Sequence, residues 1–348
     1  MSFDEIKRER IKSYLLEKID KKDKFVVSKV ADAFGISMTS VKRYIDSLTE
    51  EGVIKPTSSG DYRIVNNETR LSFSFSKEST SEDKIYTGKV APLLDGLRDN
   101  VLKIWYYSIT EMLNNCIEHS CGDQIHLTVF RNSLYTEVSI IDNGKGAIKS
   151  ICESLQNQGI EADYEDAYLE LVKGKYTSDP SAHSGEGIFF TSRFCDEFTL
   201  VSNSCFYHRN VMDQAFTRNR LISYATSLSN IGTHILMRVY NNTQRTTREV
   251  FDMYSSIDTG IFKTEIPLAQ LCEFGDPVAR SHAKRICNRL DSFKEVTVDC
   301  AGIEFMGQGF ADEMFRVYRN AHPEVDFKVI NANPDVLKML GHVGFSLS

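Results

Sequence analysis

Glu111 and Asn115 stand four residues apart in ITEMLNNCIEH, a stretch in which Ile109, Met112, Leu113, Cys116 and Ile117 recur at steps of three and four. That spacing predicts an amphipathic helix, and residues four apart lie one above the other on one of its faces. A carboxylate stacked on a carboxamide can do defined chemistry. The amide oxygen is a hard donor suited to Mg2+, and the carboxylate can orient a water or hydroxyl and take its proton. The same face also reads as a plain solvated surface, since polar helix faces are common.

Other residues of chemical interest follow along the chain. Asp142 closes the alternating run YTEVSIID and leads into DNGKG, residues 142–146. Asn143-Gly144 is a strong hairpin-turn signal. Alternatively, Asp142 at a strand end can accept a hydrogen bond from an exocyclic amine, with Gly144 and Gly146 letting the backbone pass close to a flat base. Gly185 and Gly187 precede the apolar run Ile188 to Phe194. Bare N–H groups at such a helix start form an anion site. Gly232-Thr233 enters the strand-like HILMRVY. Cys116, His119 and Cys121 are close in sequence, but a zinc site needs a fourth ligand and Cys116 falls on the apolar face.

These residues need a scaffold, and 348 residues suffice for two or three domains of about 100–150 residues each. A composition of 41% hydrophobic and 26% charged residues excludes a wholly disordered chain. No run of about 18 apolar residues occurs, so no membrane partner is expected. The start MSFDEIKRER has no apolar core of a secretory signal, and eight cysteines without CxxC pairs suit free thiols, which together predict a cytoplasmic chain. The net charge of −7 is uneven: residues 1–66 hold 13 Lys and Arg against 11 Asp and Glu, or +2, leaving −9 for the rest.

Within residues 1–66, Ile11, Leu15 and Ile19 stripe a first helix. Ser28 can cap a second, KVADAF, that stops at Gly35. SMTSVKRYIDSLTEEG gives a third helix with Val41, Ile45 and Leu48 inside, and VIKP and DYRIV flank the turn TSSG as a short hairpin. This order, and the phrase VADAFGISMTSVKRYIDSLTEEGVI, resembles the winged helix-turn-helix domains of bacterial regulators. The resemblance implies that the third helix enters the major groove with Thr39, Ser40, Lys42 and Arg43 facing DNA. A winged module used only for protein contacts is the alternative. Leu71, Phe73 and Phe75 alternate as in a strand, which places a joint near residues 66–69 and a second domain from about Arg70.

A helix with ExxxN, a strand ending in DxGxG, a variable segment, GxG opening a helix, and GT on a last strand together resemble the GHKL nucleotide-binding fold of gyrase, histidine kinases and MutL. EMLNN matches that family's N box, DNGKG its first glycine box and SGEGI its second. The resemblance covers roughly residues 85–240. It implies a Bergerat-type α/β sandwich that binds ATP and Mg2+. In that frame Asn115 holds Mg2+, Glu111 is the general base, and Asp142 takes the adenine amine. Gly144 and Gly146 leave room for the base, Gly185 and Gly187 meet phosphates, and Thr233 lies on the adenine side. Residues 148–184 become a lid, whose Lys173 or Lys175 touches phosphate. The second box lacks a longer glycine run, which implies a looser cradle and slow turnover. No phosphoacceptor-histidine hairpin precedes residue 111, which disfavours a histidine kinase.

Beyond residue 260 the pattern alternates: helix SHAKRICNRL, strand EVTVDC, helix GFADEMFRVYRNA, strand DFKVINA, helix PDVLKMLGHV. Such alternation predicts a mixed or parallel sheet flanked by helices. VTVDCAGIEFMGQGFADEMF is similar to the STAS domain of anti-sigma factor antagonists. That family's phosphoacceptor serine would fall within Gly307-Gln308-Gly309, where no hydroxyl exists, so an interaction or dimerisation module is expected.

The expected chain is thus multidomain α/β: a winged helix-turn-helix over 1–66, an ATPase domain over 70–258 and a STAS-like βα domain over 259–348. Its expected function is that of an ATP-binding, slowly hydrolysing, DNA-binding transcriptional regulator, with a homodimer or a protein partner of the STAS-like domain as further contacts. The alternatives are an anti-sigma-type protein serine kinase and a non-hydrolysing ATP sensor.

Overall fold

The computed structural model describes residues 3–76, 80–176, 186–210, 232–256, 258, 260–272 and 275–345. Three helices open the chain: α1 (Phe3–Asp20), α2 (Val26–Phe34) and α3 (Met38–Glu50). A hairpin of β1 (Ile54–Pro56) and β2 (Tyr62–Ile64) follows. Ile11, Leu15, Val30, Val41, Ile45, Leu48, Ile54 and Ile64 share one apolar core, which is what burying the striped faces requires. Gly35 ends α2 in the left-handed region, with its N–H bonded to the Ala31 carbonyl. Ser28 is not the cap expected of it. The helix begins two residues earlier, after Phe25 in the left-handed region, and the Ser28 hydroxyl donates to the Phe25 carbonyl from within the first turn. Ser37 caps α3 by accepting from the Ser40 N–H.

The middle of the chain forms a six-stranded antiparallel sheet. Its strands are β3 (Asn67–Ser74), β4 (Gln124–Arg131), β5 (Tyr135–Asp142), β6 (Glu197–Ser202), β7 (Cys205–Asn210) and β8 (Thr233–Tyr240). The order across the sheet is β3-β4-β5-β8-β6-β7. β3 starts at Asn67, which pairs with Arg131, so residues 67–69 are already strand rather than joint. Alternation shows only its apolar half, because the first three residues, Asn-Glu-Thr, are polar on both faces.

Helix α4 (Asp99–His119) buries Ile104, Trp105, Ile109, Met112, Leu113 and Cys116. After β5 come α5 (Ala147–Asn157) and α6 (Tyr164–Lys173), the latter opened by an Asp163–Asp166 capping box. Helix α7 (Gly187–Phe194) lies against α4, with Phe194 edge to face with Tyr107 at 5.0 Å between centroids. Helix α8 (Thr247–Tyr254) completes this unit.

The C-terminal unit is a three-stranded parallel sheet, ordered β9 (Lys263–Pro267), β10 (Glu295–Asp299), β11 (Asp326–Ile330). Helices α9 (Arg280–Cys287), α10 (residues 308–321) and α11 (Pro334–His342) connect and flank it. Its core is continuous with that of the middle unit. The chain is therefore a multidomain α/β protein. No helix among the described residues is long and apolar enough to cross a membrane.

Candidate functional site

Two helices and two strand ends meet around Glu111, Asn115 and Asp142. On α4, Glu111 and Asn115 are both half-buried on one face while their apolar neighbours face the core. Asn115 makes no side-chain hydrogen bond among the described residues. Beside Glu111 lies Gly187, the first residue of α7. A methyl group at position 187 would sit 2.3 Å from Glu111 Oε2, so only glycine lets the carboxylate and the helix start approach this closely. Tyr107, one turn earlier on α4, is half-buried, and its hydroxyl is pushed far up first by burial and then by the charges of Glu111 and Glu186. Gly185 lies outside the described residues.

Asp142 ends β5 and is 2% exposed. Its Oδ1 accepts from the Gly144 N–H at 2.8 Å, its main-chain carbonyl accepts from the Gly232 N–H at 3.0 Å, and Thr233 donates to its carboxylate. The Cys116 thiol of α4 lies 3.8 Å from Oδ2, which ties the helix bearing Asn115 to this carboxylate. Burial raises the Asp142 pKa despite these bonds, which pull the other way. Burial and the Asp142 charge likewise push the Cys116 thiol up.

The glycines of DNGKG have a packing reason of their own within the chain. A methyl at Gly144 would lie 2.2 Å from the Ser120 carbonyl oxygen, and one at Gly232 would lie 2.2 Å from Asp142 Oδ1. Gly146, at φ +90°, faces the Asn203 carboxamide, whose oxygen would be 2.2 Å from such a methyl. In each case the missing side chain admits another part of the chain. Asn143-Gly144 is also no hairpin turn: Asn143 Oδ1 accepts from the Asp123 and Gln124 N–H groups, and the backbone runs on into α5. Asn203 completes the junction, donating to the Lys145 carbonyl and accepting from the Lys149 N–H. Thr233 accepts from the Ala147 N–H, so the start of β8 holds the start of α5.

Glu111 and Gly187 thus adjoin, Asn115 shares the helix face, and Asp142, Gly144, Gly146 and Thr233 form one cluster with Cys116 as the link. Lys173 and Lys175 are engaged elsewhere. Lys173, 2% exposed, binds Glu170 Oε1 at 3.0 Å and the Asn288 carbonyl at 2.5 Å. Lys175 donates to the Ser292 carbonyl at 2.6 Å. Lys173 answers to the C-terminal unit rather than to the pocket, whereas Lys175 also feels the charge of Glu186, the residue before Gly187. Ser120, Cys116 and Asn203 were not singled out from the sequence for this site. The first two lie on or just after the same helix, but Asn203 comes 57 residues after DNGKG and carried no local signal.

On α3, Thr39, Lys42 and Arg43 are exposed, whereas Ser40 is half-buried with its hydroxyl 2.9 Å from that of Ser37. At the proposed phosphoacceptor position of the C-terminal unit, the Gly307 N–H bonds the Pro277 carbonyl. A methyl there would meet the Val278 carbonyl oxygen at 2.5 Å, so the close loop demands glycine.

No curated protein matches the chain. Residues 282–337, from α9 into α11, match the family described as "STAS-like domain of unknown function (DUF4325)", and the chain therefore carries a STAS-like domain at its C-terminal end.

Proposed function

We propose that the chain is an ATP-binding, slowly ATP-hydrolysing, DNA-binding transcriptional regulator in which occupancy of the middle unit, read as a GHKL domain, controls a winged helix-turn-helix and the STAS-like domain. The observation that carries this reading is the convergence of Asp142 with Gly144, Gly232 and Thr233, joined through Cys116 to the helix that sets Glu111 against Gly187. A buried carboxylate at a strand end, held in place by the Gly144 N–H and Thr233, is an acceptor suited to an exocyclic amine, which supports adenine at Asp142. Asn115, with a carboxamide uncommitted among the described residues, is the side chain that would hold Mg2+. With a single protein donor, the remaining ligands of such a cation would be phosphate and water. Such an ion supplies charge neutralisation to the phosphates. Glu111, four residues before Asn115 on the same face, would take the proton of the attacking water.

The N-terminal unit suits a reader of this state. Its core includes Leu134 and Tyr135, at the end of β5 opposite Asp142, and Tyr240, at the end of β8 opposite Thr233, packs against it. Both strands therefore run between the pocket and the proposed DNA-binding module. The presence of a STAS-like domain favours a second reading, a serine kinase acting on a separate protein. A GHKL-type sensor without hydrolysis is the third. Incubation with γ-labelled ATP and Mg2+ separates them. Free phosphate, falling about tenfold or more in Glu111→Ala, supports the regulator with hydrolysis. Label on an added protein supports the kinase, and bound but uncleaved nucleotide the sensor. A rate untouched by Glu111→Ala contradicts the assignment of the base.

A further inference from the structure

We infer that the STAS-like domain acts in cis on this site: by holding α6 and the start of α7 in place, it sets the affinity of the pocket for its nucleotide. The inference rests on the nucleotide reading above and deepens it. The basis is a set of charged contacts that the middle unit's own motifs do not use. Arg285 of α9 reaches three carboxylates at the start of α6, those of Asp163, Glu165 and Asp166. At the other end of α6, Lys173 is held by the Asn288 carbonyl, and the Thr264 hydroxyl of β9 donates to the Lys173 carbonyl at 2.9 Å. One helix is thus gripped at both ends by the C-terminal unit.

The second glycine motif is gripped as well. Glu186, the residue before Gly187, accepts from the Ile261 N–H at 3.3 Å. Within α7, Arg193 is 3% exposed, stacks 3.4 Å over the Phe189 ring, and lies 3.9 Å from Glu265 of β9. Glu265 also accepts from the Tyr254 hydroxyl at 2.6 Å and lies 3.7 Å from Arg209. A buried charge left without its partner is strongly unfavourable, so α7 and β9 hold one relative position. That position is the one in which Gly187 adjoins Glu111. Docking therefore preorganises the pocket, and preorganisation is gained as affinity. By linkage the effect is reciprocal: a nucleotide that prefers the docked arrangement must in turn strengthen the docking.

The test uses the full chain. Mg-ATP is titrated into wild type, into Arg285→Glu, and into Arg285→Glu combined with Glu165→Arg, which leaves the Asp163–Asp166 capping box intact, while hydrogen exchange is followed over residues 164–173. Arg285→Glu is expected to speed exchange across α6 and weaken binding about fivefold, and the charge swap to restore part of each. Mg-ATP is expected to slow exchange in α6 and β9 of wild type. Faster exchange in Arg285→Glu with unchanged affinity overturns the coupling while leaving the nucleotide reading intact. Unchanged exchange shows that Arg285 restrains nothing and overturns it too. Absence of Mg-ATP binding by wild type removes the nucleotide reading, and this inference with it.

Discussion

Gly187 and Glu111 approach so closely that a single methyl on the glycine would stand 2.3 Å from the carboxylate oxygen. The backbone at Gly187 needs no left-handed conformation, and alanine is a good helix former, so Gly187→Ala is accommodated by displacing the flexible end of Glu111 rather than by unfolding. The expected result is a fall of about tenfold in ATP turnover, since a small misplacement of a catalytic group is costly. The melting temperature should move by no more than about 3 °C. Steady-state kinetics and a thermal melt check both halves.

Asp142 supplies a pH signature. Burial raises its pKa from the ordinary 3.8, so the ionised form proposed to accept the adenine amine is lost at a higher pH than for an exposed aspartate. Nucleotide affinity should therefore weaken on acidification before ordinary carboxylates titrate. Asp142→Asn, which presents an amide nitrogen where an acceptor is needed, should weaken binding about tenfold or more and remove this acid limb. Affinity measured across a pH series for both proteins decides it.

His234, beside Thr233 on β8, contributes to stability rather than chemistry. Burial lowers its pKa from 6.5 to about 4, and its Nε2 lies 2.8 Å from the Ser139 hydroxyl. Because the folded value is depressed, the unfolded chain takes up a proton first as the pH falls. The stability held above pH 6.5 is thus lost progressively down to about 4, amounting to about 3 kcal/mol. His234→Gln should lose less over that window, read by denaturant unfolding at several pH values.

On α3, Lys42 and Arg43 project into solvent from a helix whose inner face is buried. If that face meets DNA, binding weakens as salt rises, and Arg43→Ala weakens it further at every salt concentration while lowering the salt slope by about one. Gel shifts across a salt series give both quantities. A slope near zero, unchanged by the substitution, would make the N-terminal unit a protein-contact module.

Much of this fold was legible because local patterns agreed with the final packing. The periodicity of Ile109 to Ile117 gave the helix, the alternation in YTEVSIID gave the strand, and Gly35 gave a helix end. What could not be read depended on parts of the chain brought together by folding. Nothing near DNGKG announces that Asn203 fills the space beside Gly146, or that Ser120 fills that beside Gly144. Lys173 and Lys175 looked available for phosphate because their partners, Asn288 and Ser292, lie more than a hundred residues on. Ser28 offered a plausible cap, yet Phe25 took the special backbone conformation one turn earlier. The edge strand β9 is only five residues long and ends in proline, too short for alternation to stand out.

Titration calorimetry of the purified chain with ATP, with and without Mg2+, bears most directly on the central claim that Asp142 and Asn115 hold a magnesium nucleotide. One site per chain is expected, tightened by Mg2+ in wild type but not in Asn115→Ala, and abolished in the Asp142→Asn, Asn115→Ala double variant. Heats that persist unchanged in the double variant, or none from wild type at all, would contradict it.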